Sequence, residues 1–366
     1  MLLGRGIPKY SVRAYIPAVS TTIPALRILA VRFSSIGDVL LTTPLLRALR
    51  ARHPEAHLAM LTKPAYAPLL SANPRLDELL TLEPGEPLPA LAARLRAGRY
   101  SHILDLHGSL RTRLLRGLVP GRWRGYPKHR TARAVLIRSK RDIYRDHRPV
   151  AERYFDAAEG LDVQPDGKPA ELFLAPKTTR LADEWLAAHG LGNERALIAL
   201  APGAAHATKR WPAEYWCSLA RQLTRSGVDG TPADIVVVGG SGDRATADAI
   251  AEAAGSAEGR AASAAGEFDL AGTGAVIQRA DAAVSGDTGT MHIATAVGTP
   301  VAALFGPTVE AFGFYPYAAR SVVLERQLDC RPCSAHGGPV CPLGHHRCLR
   351  DIGHAEVLLA LRELIG

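Results

Sequence analysis

Short runs of apolar residues alternate with longer amphipathic stretches along this chain. A short apolar run predicts a buried strand, whereas apolar positions three or four residues apart predict a helix. The strands predicted in this way are residues 27–33, 57–62, 103–106, 196–201, 234–239, 282–285 and 301–305. The predicted helices include residues 43–52, 88–97, 150–159, 214–226, 244–254, 292–297 and 354–365, and the Ala-, Gly- and Ser-rich residues 255–266 predict a loop. Alternating strands and helices predict parallel sheets that are covered on both faces.

The alternation forms two successive series, which predicts an α/β protein with two Rossmann-like doubly wound domains. A chain of 366 residues is long enough for two such domains. We place the first domain at residues 26–175 and the second at 176–350, with a linker near 165–185 and a final helical segment at 351–366. Residues 1–25 are interrupted by prolines and predict a disordered extension. Two doubly wound units predict a cleft at the carboxyl ends of their strands.

Charge is distributed unevenly between the two halves. Residues 1–175 contain 28 Lys and Arg against 15 Asp and Glu, whereas residues 176–366 contain 16 against 20. The first half is therefore expected to meet an anionic partner. No apolar stretch reaches the roughly 18 residues of a membrane span, and no continuous apolar core marks a secretory signal. These features predict a cytoplasmic protein.

Asp38 follows the first predicted strand through a short turn, Ser34-Ser35-Ile36-Gly37. A carboxylate at the carboxyl end of a strand faces the cleft, where it can accept a proton from a hydroxyl group. The structural alternative is that Asp38 caps the helix that follows. The residues alone leave these two roles about equally supported. Gly37 would permit close approach of the backbone to a phosphate group.

A second turn of the same kind follows the predicted strand at 282–285. Thr288 and Gly289 offer backbone N–H groups at a predicted helix start, which suits a diphosphate. Asp287 can accept a hydrogen bond from a sugar or ribose hydroxyl. His292 lies one helical turn further on, where it either faces the same ligand or is buried as a core residue.

Three further residues follow predicted strands of the second domain. Lys209 precedes the Arg-Trp-Pro triplet 210–212 and can neutralise charge on a departing phosphate, unless it is an ordinary surface lysine. Asp243 ends the glycine-containing turn 239–243 and is a candidate ribose contact. Thr308 follows the strand at 301–305 and suits a phosphate or sugar contact or a plain turn equally well.

Residues 111–148 form a basic stretch with thirteen Lys and Arg and only two acidic residues. The candidates for contact with an anionic ligand are Arg111, Arg124, Lys128, Arg130 and Arg133. A solvated surface and an anionic membrane surface are the alternatives. Few aromatic residues are interleaved, so nucleic acid is not expected as a partner.

Four cysteines lie close together near the end of the chain: Cys330, Cys333, Cys341 and Cys348. Their density is typical of a zinc or iron–sulfur site, and three histidines lie among them. Disulfides are not expected without an export signal. A set of reduced thiols in a loop is the alternative, with nearly equal support.

Three motifs together resemble glycosyltransferase family 9, the ADP-heptose:lipopolysaccharide heptosyltransferases. They are FSSIGDVLLTTP (33–44), PGAAHATKRWP (202–212) and SGDTGTMHIA (285–294), in the family's order and spacing. The resemblance implies the two-domain GT-B fold, with a C-terminal helix that packs back on the first domain. It implies an inverting transferase that moves a heptose from ADP-L-glycero-D-manno-heptose to the inner core of lipopolysaccharide.

The same resemblance implies roles for individual residues. Asp38 matches the general base, Lys209 the leaving-group cation, and Asp287, Thr288 and Gly289 the donor site. The hydroxyl residues often found just before that lysine are Ala204 and Ala205 here. No Asp-x-Asp motif is present, so catalysis is expected to need no metal cofactor. The enzyme is expected at the inner face of the cytoplasmic membrane, as a peripheral protein.

Three other functions are consistent with these residues. A family 9 enzyme can use another nucleotide sugar or another surface-glycan acceptor. A nucleotide-sugar epimerase shares the two-domain fold and needs no acceptor. A non-catalytic module would bind the nucleotide without turnover.

Overall fold

The computed structural model describes residues 26–192, 194–255 and 259–366. The extension predicted at residues 1–25 lies outside the described residues. Within the described part, no helix is long and apolar enough to cross a bilayer.

The first lobe is built on a five-stranded parallel sheet in the order β3-β2-β1-β4-β5. Its strands are β1 (Arg27–Val31), β2 (His57–Thr62), β3 (Glu78–Thr81), β4 (His102–Asp105) and β5 (Arg122–Gly125). The helices are α1 (Ile36–Leu40), α2 (Thr43–Arg52), α3 (Leu88–Ala97), α4 (Leu110–Leu118), α5 (Arg130–Ser139) and α6 (Val150–Arg153). Apolar side chains from both faces of β1 are fully buried, as expected for a central parallel strand.

The second lobe contains a six-stranded parallel sheet in the order β11-β10-β9-β6-β7-β8. Its strands are β6 (Leu197–Ala201), β7 (Asp234–Val237), β8 (Ala261–Ser263), β9 (Ala282–Gly286), β10 (Val301–Phe305) and β11 (Ser321–Glu325). The helices are α7 (Pro176–Ala188), α8 (Ala213–Ser226), α9 (Arg244–Ala254), α10 (Leu270–Gln278), α11 (Gly289–Ala296), α12 (Arg347–Arg350) and α13 (His354–Ile365). This is the strand order of a Rossmann-type dinucleotide-binding sheet.

One apolar core continues from the first lobe into the second. It joins Ile28 of β1 and Leu45 of α2 to Ile293 of α11. The connecting segment is held at both ends: Arg47 pairs with Asp166 at 2.7 Å, and the N–H of Leu172 donates to the carbonyl of Ala296. The two lobes therefore pack directly on each other in this structure.

Several predicted elements need correction. The helix predicted at 150–159 is α6 followed by a 3-10 turn, Tyr154–Ala158, and the loop predicted at 255–266 contains the short strand β8. Helix α13 was expected on the first lobe and packs instead on the second, against α8 and strands β9 to β11. Its apolar stripe of Val357, Leu361 and Leu364 joins the core of that lobe, so the main apolar face of the helix is used there.

The strand order reverses beside β1 in the first lobe and beside β6 in the second. Loops that follow the strands on either side of a reversal diverge, and they open the crevice where doubly wound sheets bind ligands. Asp38 follows β1, Lys209 follows β6 and Asp287 follows β9. The fold therefore places the main predicted residues at the two switch points.

Candidate active site

Asp38 lies in the first turn of α1, where it also takes part in capping that helix. Its Oδ2 accepts a hydrogen bond from the N–H of Ser35 at 3.3 Å and from the Ser35 hydroxyl at 2.9 Å. The capping role considered from the sequence is therefore present in the structure. It uses one carboxylate oxygen and leaves the other for different partners.

The other oxygen of Asp38 faces two buried side chains. Arg32 reaches Oδ1 at 2.5 Å, and the Tyr154 hydroxyl donates to the same atom at 3.2 Å. Burial favours the neutral acid, but the Arg32 charge and the Ser35 hydrogen bonds outweigh it, so the pKa of Asp38 is lowered from its usual value. Asp38 is thus a carboxylate at neutral pH.

Arg32 is itself fixed by backbone carbonyl groups. Its guanidinium donates to the carbonyl of Ser34 at 2.7 Å and to that of Leu106 at 2.5 Å. Leu106 follows β4, so this arginine joins the loops after β1 and β4. The cation beside Asp38 therefore belongs to the rigid sheet edge.

A second ion pair lies in the other lobe, between Lys209 and Asp287. The Lys209 ammonium is 2.6 Å from Asp287 Oδ2 and 3.1 Å from the Asp287 carbonyl oxygen. The Thr308 hydroxyl donates to the same Oδ2 at 2.6 Å. Three predicted donor residues, each from a different strand end, thus meet in one buried cluster.

The loop that carries Lys209 is anchored by the tryptophan that follows it. Trp211 is buried, and its indole N–H donates to the carbonyl of Ile352 at 2.9 Å. Pro212 is the N-cap of α8, so the helix starts immediately after this anchor. The Lys-x-Trp-Pro pattern therefore ties the ammonium group to the core.

The two lobes meet where α1 faces α11. A methyl group added at Gly37 would lie 2.3 Å from Cδ2 of His292, and one added at Gly289 would lie 2.6 Å from Cβ of Ile36. Both glycines thus permit the two helix starts to touch. The space beside Gly37, which the sequence assigned to a phosphate, is taken here by the imidazole ring.

His292 is buried at this contact, beside Gly37 of the first lobe. Burial lowers its pKa, while Asp287 and Asp38 act in the opposite direction. The ring is therefore neutral at pH 7 and lies between the first and second lobes. Thr288 is the N-cap of α11, with its hydroxyl 3.2 Å from that of Ser285.

Asp243 lies at the carboxyl end of β7, beside the loop after β6. Its carboxylate accepts from the N–H of Gly240 at 3.0 Å, and a methyl group at Gly203 would lie 2.4 Å from its Oδ2. Gly203 begins the loop that leads to Lys209. Asp243 therefore lies at the rim of the same crevice, next to the main cluster.

The basic residues of the first lobe divide into separate groups. Lys128 and Arg130 line a cavity of about 270 Å³ at the ends of β4 and β5, together with Arg113. Lys128 donates to the carbonyl of His107, and burial together with Arg32 and Arg130 lowers its pKa to about 8. This cavity is a suitable place for an anionic ligand near Asp38.

The other three predicted basic residues lie elsewhere. Arg133 stacks on Phe312 of the second lobe at 5.0 Å. Arg124 forms an exposed ion pair with Glu159, and Arg111 donates to the carbonyl of Glu86 at 3.2 Å. The structure does not bring Arg111 and Arg124 to the cavity.

The four clustered cysteines are free thiols. Within the described ranges, no three His, Cys, Asp or Glu side chains are arranged to hold a metal ion. Burial, with a further contribution from neighbouring thiols, raises the pKa of Cys348 to about 11. The geometry thus does not support the predicted zinc or iron–sulfur site.

Two residues of the site were missed from the sequence. Arg32 lies next to last in the predicted strand 27–33 and Tyr154 lies in a predicted helix, so each was taken as part of the fold. A charged residue near the carboxyl end of a largely apolar central strand was the available signal for Arg32. No local pattern marks Tyr154, which reaches Asp38 from 116 positions away.

Comparison with known proteins identifies the family. The model of glycosyltransferase family 9 (heptosyltransferase) matches residues 89–341. The chain belongs to glycosyltransferase family 9. This confirms the family expected from the three motifs and makes the protein a glycosyltransferase.

Comparisons with individual relatives of this family 9 member agree with the family assignment. Lipopolysaccharide heptosyltransferase 2 of Salmonella typhimurium is 29% identical over 358 residues, which cover 93% of this chain and 99% of the relative. The structure of the Escherichia coli ADP-heptose lipopolysaccharide heptosyltransferase II is 27% identical with a TM-score of 0.71, over 93% of this chain and 98% of that one. A family 9 structure from Veillonella parvula, 24% identical, has a TM-score of 0.76 over 93% and 97% of the two chains. The predicted GT-B fold is confirmed.

Proposed function

We propose that this family 9 glycosyltransferase transfers a heptose from ADP-L-glycero-D-manno-heptose to the inner core of lipopolysaccharide. The observation that carries the proposal is that an ionised Asp38 and the Lys209–Asp287 pair lie around the same side chain, His292, where α1 faces α11. The Salmonella typhimurium and Escherichia coli relatives carry the name of lipopolysaccharide heptosyltransferase. Their names support the donor and the acceptor, and the geometry supports the chemistry.

In the proposed reaction, Asp38 accepts the proton of an acceptor hydroxyl while that oxygen attacks the anomeric carbon. The bond between this carbon and the diphosphate oxygen breaks on the opposite face, which inverts the configuration. Because its pKa is low, Asp38 is a weak base that is always ionised at neutral pH. A weak base suffices when the hydroxyl becomes acidic as its oxygen bonds to carbon.

The carboxylate of Asp38 accepts four hydrogen bonds, two at each oxygen. A carboxylate has about four acceptor positions, so an incoming proton needs one partner to give way. Ser35 is exposed, whereas Arg32 and Tyr154 are buried. We infer that the Ser35 hydroxyl turns aside when the acceptor binds.

On the donor side, Lys209 balances the charge that develops on the departing diphosphate. Asp287 holds the lysine in place and is itself fixed by the Thr308 hydroxyl, and the N–H groups of Thr288 and Gly289 at the start of α11 are suited to phosphate oxygens. Asp243 at the rim is suited to a ribose hydroxyl. No cofactor is needed for these steps.

On the acceptor side, Lys128 and Arg130 suit the phosphates and acidic sugars of an inner core. The remaining basic surface of the first lobe, which includes Arg111 and Arg124, suits an anionic leaflet. We infer peripheral contact with the inner face of the cytoplasmic membrane. A metal at the four cysteines stays a prediction, which elemental analysis of purified protein tests.

The test is an assay of purified protein with a panel of nucleotide sugars and a heptose-deficient inner-core acceptor. We expect turnover with ADP-heptose that depends on the acceptor and yields an inverted linkage. Product formed without acceptor would indicate an epimerase, and preference for another sugar would exclude the heptose donor. ADP binding without any turnover would indicate a non-catalytic module.

A further inference from the structure

The Cys-rich segment, residues 330–348, contacts both lobes. Lys140, at the end of α5 in the first lobe, donates to the carbonyl of Cys330 at 3.0 Å and to that of Pro332 at 2.6 Å. The N–H of Cys333 donates to the carbonyl of Pro307 in the second lobe. The segment therefore spans from one lobe to the other beside the crevice.

The middle of this segment is fixed to the loop that carries Lys209. The N–H of Thr208 donates to the carbonyl of Gly338 at 3.1 Å, and the N–H of Gly338 donates to the Thr208 hydroxyl at 2.8 Å. Gly337 has φ +96°, and a methyl group there would lie 2.8 Å from Cβ of His206. Only glycine fits this close approach without strain.

His336 precedes this tight contact, and its side chain is exposed. Burial of part of the ring lowers the pKa of His336, and the charges of Arg133 and Lys209 act in the same direction. Asp38 opposes them. Two of these groups belong to α5 and to the Lys209 loop, and hydrogen bonds hold the segment to both elements: Lys140 donates to Cys330 and Pro332, and Thr208 is paired with Gly338. His336 therefore lies in the part of the segment that borders the proposed site.

The groups around His336 are mainly cationic. Lys209 is already balanced by Asp287, but Nε of Arg133 is buried and has no hydrogen-bond partner among the described residues. Such a position is suited to an anion, whose oxygen atoms accept from an imidazole N–H and a guanidinium. The backbone beside His336 is hydrogen-bonded to Thr208, which directly precedes Lys209. The anion expected at this position is therefore part of the donor.

We propose that His336 binds the diphosphate of the nucleotide-sugar donor beside Lys209. This inference rests on the proposed function and extends it to a segment that the reaction had not used. In this role the Cys-rich segment brings a phosphate-binding side chain to the crevice. The contact strengthens as negative charge develops on the leaving diphosphate, so both donor affinity and kcat depend on it.

The experiment compares His336→Ala and His336→Gln with wild type, by calorimetry with ADP and by steady-state kinetics. His189→Gln is the matched control, because His189 is exposed at the end of α7 and bonds its own helix. Loss of a hydrogen bond to a charged group predicts about a tenfold weaker Kd for ADP in His336→Ala. The glutamine variant keeps a donor and should lose less, while the control stays unchanged.

Unchanged ADP affinity and donor KM in both His336 variants would overturn the proposal. A rise in acceptor KM alone would also overturn it and would assign His336 to acceptor phosphates. Thermal unfolding of each variant shows whether the segment is intact, and the glutamine variant tests the contact if the alanine variant is unstable. If wild type prefers another nucleotide sugar, the proposed heptose function is wrong. The binding of that sugar's nucleoside diphosphate to wild type and to the His336 variants then still tests the role of His336.

Discussion

Each lobe contains an ion pair between a basic residue and an aspartate that follows a central strand. The two ion pairs differ in which partner is held in place. Arg32 beside Asp38 is held by two carbonyl groups and cannot leave the sheet edge. Lys209 beside Asp287 lies at the end of a loop and contacts only that aspartate through its ammonium group, among the described residues. In the first pair the cation positions the acid, whereas in the second the acid positions the cation.

This contrast indicates which member of each ion pair takes part directly in the reaction. A fixed guanidinium keeps Asp38 ionised and oriented, which suits a proton acceptor. The Asp287 carboxylate, itself held by the Thr308 hydroxyl, holds Lys209, which suits a cation aimed at a departing phosphate. Replacement of the two aspartates should therefore affect different kinetic constants.

The largest expected effect is that of Asp38→Asn. Loss of a general base costs about 10²–10⁴-fold in kcat, while ADP affinity stays close to that of wild type. Asp287→Asn should instead weaken ADP binding and lower kcat together, because Lys209 loses its partner. Steady-state kinetics and calorimetry on both variants check the difference, and the same pattern in both would contradict the assignment.

Lys209→Met should lower kcat by about 10²–10³-fold, as expected when one group that stabilises a developing anion is removed. Lys209→Arg keeps the positive charge but changes the shape of the side chain, so it separates the effect of lost charge from that of altered packing. Rates measured with donors whose leaving groups differ in acidity sharpen this test. If the Lys209→Met variant and wild type respond alike to the leaving group, Lys209 does not act on the diphosphate.

Arg32→Met should move the acid limb of the kcat/KM profile toward neutral pH. In wild type the pKa of Asp38 is lowered, so Asp38 stays ionised to a lower pH than an ordinary aspartate and does not limit the rate between about pH 5 and 8. Without Arg32 only the Ser35 hydrogen bonds oppose the effect of burial, so the pKa of Asp38 rises and activity falls as pH decreases.

A pH–rate profile of the Arg32 variant, with Arg32→Lys as the charge-preserving control, measures this shift. Thermal unfolding at pH 7 identifies any loss of folded protein. An acid limb that stays where it is in wild type would show that Arg32 does not govern the protonation of Asp38.

The smallest expected effect concerns the contact between the lobes. Gly37→Ala should destabilise the protein by about 1–3 kcal/mol, because the new methyl group overlaps the His292 ring. In the His292→Ala background the same Gly37→Ala change should cost much less, because the ring is absent. Gly117→Ala is the control, since Gly117 lies in α4 with open space around it and should gain about 1 kcal/mol.

Denaturant unfolding of wild type, Gly37→Ala, His292→Ala and the double variant completes this cycle, with Gly117→Ala measured alongside. An equal cost of Gly37→Ala with and without the His292 ring would show that the ring does not fill the space beside Gly37. In that case the space beside Gly37 would be open to a phosphate group, as the sequence analysis predicted.

The sequence predicted regular elements well where the hydrophobic pattern was strong. Helices at 43–52, 88–97, 244–254 and 354–365 and the strands at 57–62 and 301–305 have the predicted bounds. Edge strands such as β3, β5 and β11 were missed because their residues are only partly buried and lack a continuous apolar run. Short strands at a sheet edge leave little signal in a single sequence.

The candidate site could be predicted in part, because its main residues follow strands. The fold fixes where a strand ends, so Asp38, Lys209 and Asp287 were found from the turns that contain them. Arg111 and Arg124 were predicted from charge alone, and the structure turns them away from the cavity. The distribution of charge along the chain does not determine where a basic side chain points, because an exposed side chain has many accessible orientations.

The amino-acid sequence by itself determined the two α/β series, the family motifs and the residue types available at each strand end. The tertiary structure alone decided that Arg32 and Tyr154 share Asp38, that His292 fills the space beside Gly37 and that α13 covers the second lobe. The reason is physical. Local patterns report burial and backbone preference within a few residues, whereas these contacts join positions far apart in the chain and depend on how two lobes pack together.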